Sequence, residues 1–285
     1  MLDVIKNIPY NQLQQVVSKL SKLHSNINTN YTYDETYYNI FPETYFLQYE
    51  STLILVVHNN KYNLIFYWTL LYSSLISIIN QIKEKFSVPS IIECLYSRNS
   101  HIKNRLIEQT GFDFYGGILR LNKQVEYYDI NFNNNINIEY ATQDDINNIQ
   151  KLYSSIFNLY IDRILTKSEL EYYINHKNII VNRHGSHIAG CLIFSKLDTE
   201  TTYHLRYWFV DKKHHEELKG VGKSLLHKLY KIVNTGNIIE VWSRKDNQLV
   251  TDIYEKYGFQ KDGFECDVLI YSKDKNLIEP LIPLN

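Results

Sequence analysis

Two glycines lie between an apolar strand and an amphipathic helix in the second half of the chain, and they mark the strongest candidate for a ligand site. Gly220 and Gly222 flank Val221, and Lys223 and Ser224 follow. Such a turn exposes successive backbone N–H groups, and the positive end of the helix dipole adds favourable potential for an anion. The pattern therefore predicts an anion site, and phosphate is the anion that suits it best.

The same residues partly match the phosphate loop of nucleotide-binding proteins, G-x-x-x-x-G-K-[ST]. Gly222, Lys223 and Ser224 fit the end of that motif. Its first glycine, however, would fall at Glu217, whose carboxylate would face the phosphate. Residues 211–219 also separate the turn from its strand, whereas a phosphate loop follows its strand directly. A P-loop nucleotide-binding protein is therefore the least favoured interpretation of the turn.

The elements around the turn follow one another as strand, helix, strand, helix and strand. Residues 203–210 predict the strand before the turn, and the helix after it has apolar residues at helical spacing. These residues are Val221, Leu225, Leu226, Leu229 and Ile232. The strand, helix and strand that follow are predicted at residues 238–243, 248–257 and 266–271. Further upstream, Thr166 is placed to cap a helix at residues 169–176.

The first half of the chain repeats the order of elements in the second half. Residues 94–99 parallel residues 241–247, and residues 106–112 parallel residues 253–259. Self-similarity of this kind is typical of duplicated structural units. We therefore predict two tandem copies of one α/β unit.

The predicted boundaries follow from these parallels and from an asparagine-rich stretch between them. The first domain is predicted at residues 1–124, the linker at 125–135 and the second domain at 136–285. In the first copy, residues 66–68 pass directly into a helix without a glycine turn. That copy is therefore predicted to have no phosphate site.

Three features of the second half together resemble the GNAT N-acetyltransferases. The first is a strand that ends at Val210 and is followed by a loop and the glycine turn. The second is Asn247, which begins a helix after a strand, and the third is the late helix with Tyr254 and its Gly258-Phe259 exit. The resemblance covers about residues 136–272. It implies an α/β (α+β) fold of two tandem GNAT-like domains, each with a mixed, mostly antiparallel sheet flanked by helices, the N-terminal copy being degenerate.

The resemblance implies that acetyl-coenzyme A is the co-substrate and that no metal takes part. Backbone N–H groups of the glycine turn would bind its pyrophosphate. The strand before the turn would pair with its pantetheine arm, and Asn247 would bond the arm from the other side. The implied binding residues are Trp208, Phe209, Val210, Lys219, Gly220, Val221, Gly222, Lys223, Ser224 and Asn247.

The resemblance also implies direct attack of an amine on the thioester, without a covalent enzyme intermediate. Tyr254 is the expected general acid, which would protonate the leaving thiolate. The first copy has Ile107 at the corresponding position and lacks such a donor. The base is less clearly marked, with a water relay or no base among the alternatives. The candidate side chains are His204 first, then Glu240, Glu200 and Asp198.

The turn departs from the family pattern at two positions. Glu217 and Leu218 stand where Gln or Arg and a glycine are usual, so the identity of the acyl donor stays open. Two other functions stay open as well: a catalytically silent acyl-coenzyme A-binding or interaction protein, and an aminoacyl or other acyl transferase on the same fold. The acceptor, a small amine or a peptide, is expected between the two halves, beside residues 157–160.

Composition limits the partners and the compartment. The chain of 285 residues has a formal net charge of −1, which argues against nucleic-acid binding. Its cysteines, Cys94, Cys191 and Cys266, are widely spaced, which fits a reducing cytoplasm. Residues 64–82 carry no charge, but their polar and aromatic residues favour a strand and a helix over a membrane span. We therefore expect a cytoplasmic monomer or homodimer without a membrane segment.

Overall fold

The computed structural model describes residues 3–6, 9–23, 28–29, 43–49, 51–96, 101–130, 137–185, 187–197, 201–211 and 220–281. Two compact units divide the chain. The first consists of Met1–Ile118 and Gly263–Asn285, and the second consists of Leu119–Asp262. The glycine turn belongs to the second unit.

The first unit carries the elements of the N-terminal half. They are β1 (Asp3–Lys6), α1 (Tyr10–Leu23), β2 (Asn28–Thr29), β3 (Glu43–Tyr49), β4 (Thr52–Asn59), β5 (Tyr62–Thr69), α2 (Tyr72–Ile82), β6 (Ser90–Tyr96) and α3 (His101–Thr110). The uncharged stretch 64–82 forms β5 and α2, which confirms the prediction of a strand followed by a helix. Among the residues that the structure describes, no helix is long and apolar enough to cross a membrane.

The second unit carries the elements around the site. They are α4 (Tyr127–Ile130), β8 (Glu139–Tyr140), α5 (Ile146–Ser154), α6 (Lys167–Asn175), β9 (Ile179–His184), β10 (His187–Lys196), β11 (Thr202–Val210), α7 (Val221–Val233), β12 (Ile238–Arg244) and α8 (Gln248–Lys256). Two long strands have residues in both units. They are β7 (Asp113–Gln124), which begins in the first unit, and β13 (Gln260–Tyr271), which begins in the second.

The strand order confirms a mixed, mostly antiparallel sheet in each unit. It is β1-β3-β4-β5-β6-β13 in the first unit, with β2 beside β5, and β7-β12-β11-β10-β9-β8 in the second. The β5–β6 and β11–β12 pairs are parallel, whereas β3–β4, β9–β10 and β10–β11 are antiparallel.

The C-terminal strand departs from the domain boundary predicted from the sequence. That boundary assigned residues 263–285 to the second domain, but the structure groups them with the first unit. The reason is pairing: β13 runs antiparallel to β6, from Glu265 beside Tyr96 to Tyr271 beside Ser90. An apolar strand reveals that its faces are buried and does not reveal which neighbour it will pair with.

Helices cover both faces of the sheet in the second unit. On one face α7 and α8 pack over β11 and β12, with Leu225, Leu229, Val241 and Phe259 fully buried. On the other face α5 and α6 pack over β9, β10 and the end of β11, in a second cluster that includes Tyr153. Each fully buried leucine contributes about 1.5–3 kcal/mol to folding. These two layers fix the sheet from which the site is built.

Thr166 caps α6 as the sequence predicts. Its hydroxyl accepts a hydrogen bond from the Glu169 backbone N–H (3.2 Å), and the Glu169 carboxylate accepts one from the Thr166 backbone N–H (2.7 Å). We expect Thr166→Ala to lower the free energy of unfolding by about 1 kcal/mol, because the cap is lost. Urea unfolding measures the change. Thr166→Ser retains the acceptor and should stay near wild type, and equal losses in both variants would contradict the capping role.

Candidate functional site

The glycine turn adopts the backbone geometry that its glycines permit. Gly220 has a φ of +90°, in the left-handed region that favours glycine, and it is the N-cap of α7. The Ser224 backbone N–H and hydroxyl both donate to the Gly220 carbonyl, at 2.9 and 2.7 Å. The hydroxyl of Ser224 therefore stabilises the first turn of α7. Lys219, Glu217, Glu200 and Asp198 lie outside the described residues.

Trp208 joins the start of α7 to the end of β11. Its indole Nε1–H donates to the Gly222 carbonyl at 3.0 Å. A Cβ atom on Gly222 would lie 3.4 Å from both the Trp208 ring and the Val210 side chain. These are ordinary van der Waals distances, so the first turn of α7 lies about one methyl group away from the strand.

A β-bulge interrupts β11 just before this contact. Tyr207 pairs with Ile193 of β10, but the next pair is Leu205 with Phe194, so Arg206 is an extra residue. A bulge of this kind turns the side chains that follow it and increases the local twist. As a result Leu205 packs under α7, whereas Tyr207 and Phe209 pack under α5 and α6.

The bulge coincides with the place where two parallel strands separate. The pairing of β11 with β12 runs from Thr202 beside Ile238 to Leu205 beside Val241. Beyond that pair, residues 207–210 of β11 pair with β10 on one side only, among the described residues. A gap therefore opens between β11 and β12, and backbone groups on its edge can pair with an extended ligand.

Tyr254 lies on the α8 side of this gap. Its ring centroid is 5.6 Å from that of Trp208 and 5.4 Å from that of Phe259. Burial raises the pKa of the Tyr254 hydroxyl, so the group is protonated at neutral pH. Within the described part of the chain its hydroxyl has no hydrogen-bond partner, so its proton is available to a ligand.

Asn247 lies where β12 leads into α8. Its side-chain oxygen accepts a hydrogen bond from the Val250 backbone N–H at 3.3 Å, which makes it the N-cap of α8. The backbone N–H of Asn247 donates to the Arg244 carbonyl at 3.1 Å. The cap uses the acceptor of the amide, and the two donors on the side-chain nitrogen are its remaining binding capacity.

His204 lies before the bulge and on the opposite face from Tyr254. Its neighbours across the strands are Ser195 and Glu240. Burial, together with the positive charge of Arg206, lowers the pKa of His204 well below its usual range. The imidazole is therefore neutral at physiological pH and only weakly basic.

The carboxylate of Glu240, next to His204, forms an ion pair with Arg120. The Arg120 guanidinium lies 3.4 Å from Glu240 and 2.7 Å from Asp262. Burial raises the pKa of Glu240, while the charge of Arg120 opposes that shift. Because Glu240 is paired with Arg120, it is held in the sheet and is a poor candidate for accepting a proton from a ligand.

Another carboxylate lies nearer the open part of the gap. Asp162 belongs to the loop between α5 and α6, and its Oδ2 atom lies 3.7 Å from Nη1 of Arg244, the last residue of β12. Its backbone carbonyl accepts a hydrogen bond from the Tyr207 hydroxyl at 2.6 Å. Asp162 thus contacts both strands beyond their last pair.

Comparison with known proteins finds a family match for one part of the chain. Residues 146–259 match the acetyltransferase (GNAT) family. These residues form a GNAT domain. No curated protein matches the chain in sequence.

Solved structures extend the likeness from the GNAT domain to the whole chain. A GCN5-related N-acetyltransferase from Sphaerobacter thermophilus has a TM-score of 0.64 at 10% identity, over 98% of this chain and 97% of that one. A tandem GNAT protein from the clavulanic acid biosynthesis pathway has a TM-score of 0.60 at 8% identity, over 95% and 98%. A glucosamine N-acetyltransferase region of a fungal multi-domain enzyme has a TM-score of 0.62 at 9% identity, over 95% of this chain and 38% of that one. At these identities the likeness shows the fold alone, which is the predicted tandem GNAT fold.

The GNAT domain brings most of the predicted site residues together. The strand end at residues 208–210 and the turn at residues 220–224 lie side by side, with Tyr254 next to Trp208. Asn247 begins the helix that carries Tyr254, whereas His204 lies on the other face of the sheet. In the described part of the chain, no group of three His, Cys, Asp or Glu side chains could hold a metal ion.

Sequence reasoning missed three residues of this domain. They are Gly190, which packs against α7, together with Asp162 and Arg244. Asp162 had one local signal, because an Asn four residues earlier is suited to closing a turn on it. Gly190 packs against residues distant in sequence, and so does the pair of Arg244 with Asp162, so no local pattern marks these contacts.

Proposed function

We propose that the chain is an N-acetyltransferase that moves the acetyl group of acetyl-coenzyme A to a primary amine by direct attack. The observation that carries this proposal is the gap between β11 and β12, which opens directly beside the glycine turn. A thioester with an extended amide-bearing arm and a pyrophosphate needs an open strand edge for the arm and, next to it, an anion site for the phosphates. The match of residues 146–259 to the GNAT family supports the same conclusion.

The donor is proposed to bind along β11 with its phosphates at the turn. Backbone groups of Trp208, Phe209 and Val210 would pair with the pantetheine arm as a neighbouring strand does. The N–H groups of residues 220–223 at the start of α7 would bind the pyrophosphate, helped by the helix dipole. The Asn247 side-chain amide would donate to the arm from the α8 side.

The chemical step is proposed to use Tyr254 as general acid. The amine nitrogen forms a bond to the thioester carbon, the carbon–sulfur bond breaks, and Tyr254 gives its proton to the leaving sulfur. Burial keeps the Tyr254 hydroxyl protonated, as this role requires. His204 is less suited to be the base, because burial and Arg206 lower its pKa.

The proposed donor site belongs to the second unit alone. In the first unit, α2 begins at Tyr72, only three residues after β5 ends at Thr69, so no loop for a phosphate separates them. We keep the interpretation of two tandem copies, of which the second binds the donor. The acceptor is proposed to be a small amine or a peptide amine.

The test is a titration of the protein with acetyl-coenzyme A by calorimetry. We expect one site per chain, and we expect free thiol to appear when primary amines are then supplied. Two equal sites would contradict the assignment of a single donor site. Binding without thiol release over a broad amine screen would favour a catalytically silent binding protein, and absence of binding would reject the proposal.

A further inference from the structure

One loop carboxylate bridges the two strands where they separate. The Tyr207 hydroxyl on β11 donates to the backbone carbonyls of Asp162 and Arg163, at 2.6 and 2.8 Å. On the other side, Asp162 Oδ2 lies 3.7 Å from Arg244 on β12. Both contacts are made beyond Leu205, the last residue of β11 that pairs with β12. Asp162 therefore lies over the part of the gap into which the thioester is proposed to bind.

The loop that carries Asp162 is held in place by its own hydrogen bonds. The Asn158 backbone N–H donates to Asp162 Oδ2 at 2.8 Å, and the Asn158 side-chain oxygen accepts from the N–H groups of Tyr160 and Ile161. The Tyr153 hydroxyl donates to the Arg163 carbonyl at 3.1 Å. These bonds fix the carboxylate before any ligand binds, and pre-organisation of this kind favours catalysis.

Packing of aromatic rings also holds the same loop against β11. Tyr153 and Tyr207 pack edge to face with their centroids 4.7 Å apart, and Phe157 lies 5.3 Å from Tyr207. Edge-to-face pairs add stability beyond that of the area they bury. The loop is thus tied to the strand that is proposed to bind the donor.

The groups that face Asp162 come from three elements. Arg244 of β12 attracts it, Asp246 after β12 repels it, and the hydroxyls of Tyr153 on α5 and Tyr207 on β11 lie nearby. Arg244 also makes a bidentate pair with Asp246, at 2.9 and 2.5 Å, and so divides its charge between the two carboxylates. Burial raises the pKa of Asp162 to about 6 despite Arg244 and the Asn158 N–H. The carboxylate is therefore ionised at neutral pH and more basic than an exposed aspartate.

Asp162 is accessible to a ligand, and it lies on the side of the sheet opposite to Tyr254. The Asp162 side chain is 14% exposed, so a ligand can contact it. Asp162 lies on the α5–α6 side of β11, and Tyr254 lies on the α7–α8 side. An acid on one face and a base on the other allow the amine to be deprotonated on one side of the gap and the leaving sulfur to be protonated on the other.

We propose that Asp162 binds the ammonium group of the acceptor and takes its proton before attack. The inference rests on the proposed acetyl transfer and adds to it the base and the position of the acceptor amine. The ammonium gives one proton to Asp162, which passes it to water. The nitrogen lone pair then forms the C–N bond, the C–S bond breaks, and the sulfur takes the proton of Tyr254. The second nitrogen proton restores Tyr254 through solvent, so the products are an amide, a thiol and one released proton.

The first test measures Asp162 without any acceptor. Aspartate labelled with ¹³C at the carboxyl carbon is titrated by NMR, and the Asp162 signal is the one missing from Asp162→Asn. We expect its midpoint near pH 6. The control Asp246→Asn removes a repelling charge and should move that midpoint to lower pH. A wild-type midpoint at or below the ordinary aspartate value of about 3.9 overturns the proposal.

The second test measures turnover with two probe amines, ethylamine and hydroxylamine. Ethylamine is protonated at neutral pH and needs a base, whereas hydroxylamine is largely unprotonated. Asp162→Asn should lower kcat with ethylamine by about 10²-fold, with a much smaller loss for hydroxylamine after subtraction of the uncatalysed reaction. Unchanged affinity for acetyl-coenzyme A shows that the variant is folded.

The outcomes distinguish a failure of the role proposed for Asp162 from a failure of the proposed acetyl transfer. Equal losses with the two amines indicate that Asp162 has only a structural role and overturn the inference. Normal turnover of Asp162→Asn with ethylamine counts against Asp162 alone. Failure of the wild-type protein to bind acetyl-coenzyme A counts against the proposed acetyl transfer itself.

Discussion

Tyr254→Phe is expected to lower kcat by about 10²-fold or more while leaving the affinity for acetyl-coenzyme A almost unchanged. The phenylalanine ring can keep the contacts of Tyr254 with Trp208 and Phe259, whose centroids lie 5.6 and 5.4 Å away. Only the hydroxyl is removed, and no described residue hydrogen-bonds to it. Thiol release at saturating donor gives kcat, and calorimetry gives the affinity.

Tyr257→Phe is the matched control for this experiment. Tyr257 follows α8 as its C-cap and also packs against Trp208, with ring centroids 5.7 Å apart. It is placed at neither the donor nor the acceptor, so the loss of its hydroxyl should leave turnover near wild type. If the two variants turn over equally, Tyr254 is a packing residue and the acid must be sought elsewhere.

The pH dependence of kcat tests the role of the Tyr254 hydroxyl in a second way. Burial raises the pKa of Tyr254 above its ordinary value of about 10. The acid therefore stays protonated as the pH rises, and the alkaline fall in kcat that it causes should begin above that value. The fall should be absent from Tyr254→Phe, because phenylalanine has no proton to lose.

The elements near the turn were predictable because their signals are local. Helical spacing of Leu225, Leu226 and Leu229 correctly indicates the buried face of α7. Thr166 marks the start of α6 because a cap depends on residues only three positions apart. Tyr254 could be placed on a helix for the same reason, although the partners of its ring could not.

The features that shape the gap were not predictable, because they depend on contacts distant in sequence. The bulge at Arg206 arises from the pairing of β11 with β10, and nothing in residues 202–210 alone specifies that register. The pairing of β13 with β6 likewise joins strands that are distant in sequence, and neither strand alone specifies its partner. Asp162 lies in a loop, where no periodicity indicates which strands the side chain will contact.

Gly190→Ala is expected to weaken acetyl-coenzyme A binding by at least about tenfold and to lower stability by about 1–3 kcal/mol. A Cβ atom on Gly190 would lie 2.7 Å from Cγ1 of Val221 and 3.0 Å from Cδ1 of Leu225. It would also lie 3.3 Å from the Phe209 carbonyl oxygen. Val221 is the first residue of α7 and lies between the two glycines of the turn. Because Val221 is β-branched and stiff, we expect the start of α7 to move away from the sheet, and the N–H groups proposed to bind phosphate to move with it.

Gly236→Ala separates this displacement from a general loss of stability. Gly236 follows the other end of α7 and has a φ of +89°, so alanine there is strained by about 1–2 kcal/mol. No atom lies within 4 Å of the added Cβ, so the N-terminus of α7 has no reason to move. Urea unfolding should show a loss in both variants, whereas calorimetry should show weaker binding in Gly190→Ala alone. Equal binding by the two variants would mean that donor affinity does not depend on how closely α7 packs on β10, and the phosphate site would then have to be formed by other residues.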